Sequence, residues 1–317
     1  MNLVTGGSGF VGGRLIRLLK REGREVRSFS RHPLPSQIEC VQGDLLDLES
    51  LRMACAGVQT VFHCAGYAHA FKAVSASDAA RHWQVNFQGT RRLLEAAGEA
   101  GVSGFVFLSS VKAMADPGQA CVNELWPGEP DSDYGRAKRA AEMEVIDAGR
   151  RFGMRVTNLR LSMVYGAGGR GNLERMARLI QRGWFPPLPE TGNHRSLVHV
   201  DDVVAAIQLV ASNSRANGKT YIVAGPDAPS GRQLFEALRL ALGMRACGWA
   251  VPEGLLRIAA YCGDQLEVLS GRYSPLNTEI IDRLLGSAWY SPELINRELG
   301  WRAQIGLELG LRELVGR

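Results

Sequence analysis

The chain has no Cys-x-x-C pair. Cys40, Cys55, Cys64, Cys121, Cys247 and Cys262 are scattered, with no Cys/His cluster at zinc spacing, so neither a metal nor a disulfide is inferred and six reduced thiols are expected. No uninterrupted apolar run reaches the roughly 18 residues a membrane span needs, and the N-terminus enters a strand pattern without a charged leader and cleavage site. A cytoplasmic protein with no membrane insertion is expected. Lysine is scarce, five among 37 basic residues, so arginine meets almost every need for positive charge and a lysine at a given place becomes informative. A charge block of one sign is also missing. The net charge of +5 is spread along the chain and interleaved with acids, which argues against a nucleic-acid partner and fits an enzyme handling an anionic small molecule. There is no internal repeat, low-complexity tract or long linker.

With 317 residues, 45% hydrophobic and 22% charged, the chain is long enough for one large or two small globular domains. Short β-branched or aromatic runs alternate with segments of helical period: Asn2–Thr5 then Phe10–Glu22, Glu25–Ser30, Glu39–Gln42 then Asp47–Ala56, Thr60–His63 then Asp78–Ala100, Phe105–Ser109 then Asp133–Arg151, and Arg155–Leu161. This alternation predicts an α/β fold, a Rossmann-type doubly wound parallel sheet with helices on both faces. After Tyr165 the pattern loosens through Gly/Pro-rich stretches at 166–171 and 185–192, with shorter strands at Leu197–Val200 and Thr220–Val223 and a mostly helical end. Residues 1–165 are read as a nucleotide-binding domain and 166–317 as a smaller mixed α/β substrate lobe, with segments near 197–224 packing back on the core.

Thr5-Gly6-Gly7-Ser8-Gly9-Phe10-Val11-Gly12 follows a strand and opens a helix. Gly6, Gly9 and Gly12 let backbone approach a pyrophosphate, while the amides at Phe10 and Val11 lie at the positive end of the helix. At the end of the second strand a free ribose 2′-hydroxyl favours Asp or Glu, yet Ser30 and Arg31 stand there. A hydroxyl beside a guanidinium suits a 2′-phosphate, which keeps NADP open beside NAD; stacking of Arg31 on adenine, or simple exposure, is the other reading. Asp44, with Leu45, is placed to accept from the adenine amino group or to serve as a turn or cap.

Tyr134 and Lys138 lie four residues apart at the start of a helix, on one face. A free phenol titrates near 10, so acid–base work at neutral pH asks for a downward shift of about 3 units, roughly 4 kcal/mol, to which a nearby ammonium contributes. A surface helix pair gives the same letters. The partner hydroxyl is expected where the preceding strand ends on the ligand-binding edge of the sheet: Ser110, with Ser109 as the alternative.

Together these segments resemble an extended short-chain dehydrogenase of the NAD-dependent epimerase/dehydratase family. The similarity runs in order through Thr5–Gly12, Gly43-Asp44-Leu45, His63-Cys64-Ala65-Gly66, Val85-Asn86-Phe87-Gln88-Gly89-Thr90, Ser109-Ser110, Tyr134–Lys138, Leu159–Gly166 and His199–Val203. It implies cofactor contacts at Ala65 and Gly66 and a homodimer through the helices at 78–100 and 133–151. The chain departs from the family in lacking Pro at 161 and after Gly166, in lacking an acidic residue near 30, and in its short first strand.

From Gly171-Asn172-Leu173 to Asn193–Val198 the sequence further resembles nucleotide-sugar enzymes that work at sugar C4. There an Asn at Asn172 and an Arg at Arg195 hold a nucleoside diphosphate, consistent with the paired hydrogen bonds a guanidinium offers. Arg283 is the candidate second phosphate arginine. Tyr67 and His69 are placed to line the sugar pocket. His199 with Asp201 and Asp202 looks like a metal or acid–base cluster but is read as a strand end, a helix cap and a favourable N-terminal carboxylate. The resemblance thus implies a nucleotide-diphosphate sugar as substrate, with 4-epimerisation or 4-keto reduction as the reaction. A 4,6-dehydratase would add an Asp-Glu pair beside the active Ser, where Val111-Lys112 stands. A steroid- or flavonoid-type ketone reductase shares every core motif, and a non-catalytic cofactor-binding protein would have lost part of the triad.

Overall fold

The computed structural model describes residues 1–32, 38–67, 76–169, 171–270 and 277–316. The first half runs β1 (Asn2–Thr5), α1 (Phe10–Arg21), β2 (Val26–Ser30), β3 (Glu39–Gln42), α2 (Leu48–Cys55), β4 (Thr60–His63), α3 (Ala76–His82), a π-helical turn at Trp83–Gln88, α4 (Gly89–Glu99), β5 (Gly104–Ser110), β6 (Cys121–Val122), α5 (Asp133–Phe152) and β7 (Arg155–Leu161). It continues with β8 (Met163–Tyr165), α6 (Asn172–Gln181), β9 (Leu197–His199), α7 (Val200–Ser212), β10 (Lys219–Val223), α8 (Gly231–Ala241), α9 (Glu253–Ser270), α10 (Thr278–Leu285), β11 (Trp289–Tyr290), α11 (Glu293–Leu299) and α12 (Leu307–Leu314).

Seven parallel strands form one sheet in the order β10-β7-β5-β4-β1-β2-β3. Parallel strands need covered faces, which is why β1, β4 and β5 are almost wholly buried. One face is closed by α1 and α7 around Leu15, Ile16, Leu19, Val203 and Ile207. The other is closed by α2, α4 and α5 around Leu51, Leu93, Leu94 and Val145. Each fully buried aliphatic side chain contributes about 1.5–3 kcal/mol. A separate cluster holds the C-terminal lobe together through Leu173, Ile180, Phe235, Leu238, Leu256 and Ile281.

Two sequence expectations change in detail. The single helix expected over 78–100 is broken by the π-helical turn at Trp83–Gln88, an inserted residue that a 3.6-residue pattern does not report. The strand expected at Leu197–Val200 ends at His199, because His199 caps α7 by accepting from the Asp201 amide at 3.3 Å. The second late strand, β10, supplies the seventh strand of the main sheet by pairing with β7. No described helix is long and apolar enough to cross a membrane.

Candidate active site

The strand order reverses between β1 and β4, and the carboxyl ends of these strands form the crevice where ligands of such sheets lie. Gly6 has φ +70°, and a side chain there would meet the Ala65 amide nitrogen at 2.7 Å. A side chain at Gly12 would overlap the Gly6 carbonyl. Only glycine allows this fold of the loop. α1 then starts at Phe10 with no side-chain cap and no acidic residue in its first turn, which leaves the amides of Phe10, Val11 and Gly12 to an anionic ligand. Beneath the loop, Thr5 Oγ1 meets His63 Nδ1 at 2.7 Å and accepts from the Ala65 amide at 3.2 Å, while His63 Nε2 meets Thr90 Oγ1 at 2.9 Å. Burial, with Lys138 adding to it, holds the His63 ring at about 3, so it is a neutral strut. This cradle fits a dinucleotide pyrophosphate.

Ser30 ends β2, buried, with its hydroxyl accepting from the His32 amide at 3.3 Å. The Arg31 side chain is exposed and its carbonyl accepts from Gln42 Nε2 at 3.1 Å. Asp44 is exposed, and one of its carboxylate oxygens accepts from the Leu46 amide at 2.9 Å. The turn role is therefore occupied, with the second oxygen left for a ligand. Leu45 is buried against Gly89.

Ser132 caps α5 by accepting from the Gly135 amide at 3.2 Å. A side chain at Gly135 would collide with the Lys112 carbonyl, so the first turn of α5 lies directly on the turn that follows Ser110. That packing brings Tyr134 beside Ser110, whose hydroxyl works against the rise that burial imposes on the phenol's pKa. Lys138 is buried one turn on; its ammonium donates to the Leu108 carbonyl at 2.8 Å and sits 4.5 Å from the centre of the Phe107 ring. Burial lowers it to about 8, with Glu142 opposing. Gly66 leaves room beside that ammonium, 3.6 Å from where a side chain would start. The expected downward pull of Lys138 on the phenol is not what sets it: burial raises Tyr134, the Ser110 hydroxyl works against that rise, and the Lys138 ammonium is directed to the Leu108 carbonyl.

The alternative hydroxyl, Ser109, faces away and donates to Glu142 Oε1 at 2.6 Å. Glu142 pairs with Arg160 at 2.7 Å, both 4% exposed, and Arg160 is the β7 residue in register with Ser109. Tyr134, Lys138 and Glu142 thus form an i, i+4, i+8 row that leads from the cleft to a buried ion pair. Removing one partner of such a pair costs about 3–5 kcal/mol. Sequence reading missed it, since it needs the β5–β7 register; the spacing on α5 was the available signal.

Tyr67 is fixed by two bonds to the Asn86 amide, at 2.8 and 2.9 Å, and its hydroxyl donates to Asp78 at 2.8 Å. Its ring lies 4.9 Å from His82, which in turn lies 5.5 Å, edge on, from Tyr134. His82 was not foreseen. It enters the site because the π-helical turn begins at the next residue, and its spacing of four from Asn86 was the only hint. His69 lies outside the described residues.

In the C-terminal lobe Arg195 is half-buried and donates to the carbonyls of Arg283 and Gly286, the latter at 3.1 Å. Burial lowers its pKa while Asp116, on the loop after Ser110, raises it. Arg195 and Arg283 are therefore neighbours, though Arg283 meets Arg195 through its carbonyl and turns its guanidinium to Glu279. Asn172 is exposed at the first position of α6. Asn193, unnoticed in the sequence, is buried and ties the lobe together by donating to Leu284 O and Gly286 O at 3.3 and 2.9 Å and accepting from Gly231 N at 3.0 Å. In the first turn of α7, Asp201 is bound by Arg14 at 2.6 and 2.9 Å, and Asp202 accepts from the amides of Gln304 and Ile305. His199 Nε2 lies 3.4 Å from Glu313.

The model of the NAD dependent epimerase/dehydratase family matches residues 2–224. A UDP-glucose 4-epimerase of Vibrio cholerae is 27% identical, covering 98% of this chain and 93% of its own length. Sterol demethylase protein B of Methylococcus capsulatus is 32% identical, covering 84% and 81%. Among solved structures, MoeE5 in complex with UDP-glucose and NAD superposes with a TM-score of 0.79 at 26% identity, covering 99% of this chain and 97% of that one.

Proposed function

Because the chain belongs to the NAD-dependent epimerase/dehydratase family, we propose that it is a nucleotide-sugar 4-epimerase, acting on a UDP-hexose or UDP-N-acetylhexosamine through a transient 4-keto sugar. The observation that supports the reading is a half-buried guanidinium in the C-terminal lobe, Arg195, held at the carbonyls of Arg283 and Gly286 and facing the charge of Asp116 on the loop that follows Ser110. A diphosphate accepts from a guanidinium through two charge-assisted hydrogen bonds at once, which a sterol-type ketone cannot do.

The bound dinucleotide supplies a hydride acceptor and donor. Tyr134 would take the proton of the C4 hydroxyl when that carbon is oxidised and return it to the same oxygen when the keto sugar is reduced from its other face. Ser110 donates to the reacting oxygen in both directions. Lys138 holds its positive charge beside Gly66 and lies where a nicotinamide ribose would be bound. Arg195, with Asn172 and Arg283, holds the diphosphate while the sugar turns over, and Tyr67 lines the sugar side. Gly6, Gly9, Phe10, Val11, Gly12, Asp44, Leu45 and Ala65 hold the dinucleotide. A homodimer packed through α4 and α5, where Met143 is exposed, and a cytoplasmic location belong to the same reading.

The second reading is an NADPH-dependent nucleotide-4-keto-sugar reductase, favoured by Ser30 and the exposed Arg31 in place of an acidic residue. Incubation with UDP-glucose, UDP-galactose and their N-acetyl forms, without added cofactor and then with NAD, is expected to yield the C4 epimers. No epimer in either case, together with NADPH oxidation on a UDP-4-keto sugar, would establish the reductase instead.

A further inference from the structure

Helix α9 sets its ionic groups along its border with α10. Arg257 pairs with Glu253 and with Asp282 of α10, both at 2.8 Å, and Asp264 accepts from Thr278 at 2.7 Å. Leu256, Ala260 and Gly263 face the lobe interior. Leu255, Ile258, Tyr261, Cys262, Val268 and Leu269 are all exposed, the last two at 80% and 83%. At 100° per residue these six span roughly half the helix circumference, on the side away from α10. An ordinary surface helix carries charged and polar residues on that side.

The surroundings show what would cover such a face. Trp249 precedes the helix and is 64% exposed. The neighbouring 182–187 loop, hydrogen-bonded from Val251 N to Pro187 O at 3.0 Å, presents Trp184 at 72% exposure with the Arg182 guanidinium 5.7 Å from its ring. Exposed Arg178, in the last turn of α6 ahead of that loop, and exposed Arg245, ahead of Trp249, add positive charge on the two segments that lead there. An aliphatic stripe with tryptophans at its margin and arginines around it has the chemistry of a helix lying in a lipid interface, where aromatic rings sit at headgroup depth and guanidiniums meet anionic headgroups. A second copy of this chain, itself of net charge +5, offers the arginine fringe no counterpart, whereas anionic headgroups do.

We propose that α9 and its two flanking loops dock the C-terminal lobe on an anionic bilayer surface without crossing it. α10, which carries Arg283, packs directly on α9, so docking sets the candidate diphosphate site beside the headgroups. The inference stands whether or not the sugar reading does.

The test is flotation of the full-length protein with phosphatidylglycerol-containing and with pure phosphatidylcholine vesicles. Binding to the anionic vesicles is expected, weakened by salt, and about tenfold weaker for Leu255→Gln/Ile258→Gln/Leu269→Gln. NADH binding checks that the variant is folded. If it is not, quenching of the unmodified chain's tryptophan fluorescence by lipids with brominated acyl chains, largely lost in Trp184→Phe/Trp249→Phe, carries the test. No flotation with anionic vesicles, unchanged flotation of the triple variant, or a halving of its solution mass relative to the unmodified chain would overturn the proposal; the last would assign the face to contact between copies.

Discussion

The two walls of the cleft are positioned by different means. On the nucleotide wall the groups stand at the ends of hydrogen-bonded parallel strands, so Gly6, Ser30, Ala65 and Ser110 are placed by sheet register. On the lobe wall Arg195 and Asn193 reach across to the carbonyls of residues 283–286, so a few side chains do the work of a ladder. Backbone register is rigid and indifferent to side-chain identity; side-chain bonds are adjustable and specific to it. The wall that meets a common cofactor is of the first kind, and the wall proposed to meet substrate is of the second.

Three substitutions probe this contrast. Tyr134→Phe keeps the register of the nucleotide wall and removes only the proton-transferring hydroxyl. Turnover should fall by about 10³-fold, about 4 kcal/mol of barrier, with NADH binding by fluorescence unchanged. Activity within tenfold of the parent would remove Tyr134 from the chemistry. Lys138→Met addresses the cost of that wall. Because burial depresses the ammonium from 10.5 to about 8, the unfolded chain holds the extra proton between those values. Parent stability therefore rises with pH across that window, and below it the buried charge is a standing cost. The variant should be about 2 kcal/mol more stable at pH 7, allowing for the lost bond to Leu108, and the gain should shrink between pH 8 and 10.5. Urea midpoints at both ends of the window measure it, and a gain that does not shrink with pH would mean packing and not charge is responsible. Arg195→Ala loosens the other wall: KM for the nucleotide sugar should rise about tenfold, about 1.4 kcal/mol, with kcat within a factor of two. A loss confined to kcat would place Arg195 with the reacting atoms.

The same contrast decides what could be read in the sequence. The glycine loop was legible because strand, glycines and helix are contiguous, and Tyr134 with Lys138 because one helical turn sets their relation. Choosing Ser110 over Ser109 was only partly legible. What separates them is Glu142, and its bond to Ser109 depends on Arg160 lying opposite in β7, a register no local pattern encodes. His82 was hidden by the inserted residue of the π-helical turn. In the lobe, Arg195 was found by resemblance, but its partners are carbonyls nearly ninety residues away, and carbonyls carry no letter. Arg31 is exposed and is bonded through its carbonyl, so local pattern does not decide between the two dinucleotides.

The seventh strand has a consequence for biosynthesis. β10 closes the β7 edge, and α7 covers the sheet face over Val106 and Leu159, yet both emerge from the ribosome well after Tyr165. Until residue 223 is available, the nascent nucleotide domain carries an open strand edge and an uncovered apolar face, the features that invite pairing with another chain. A gene fragment cut at the apparent lobe boundary would make that transient state permanent.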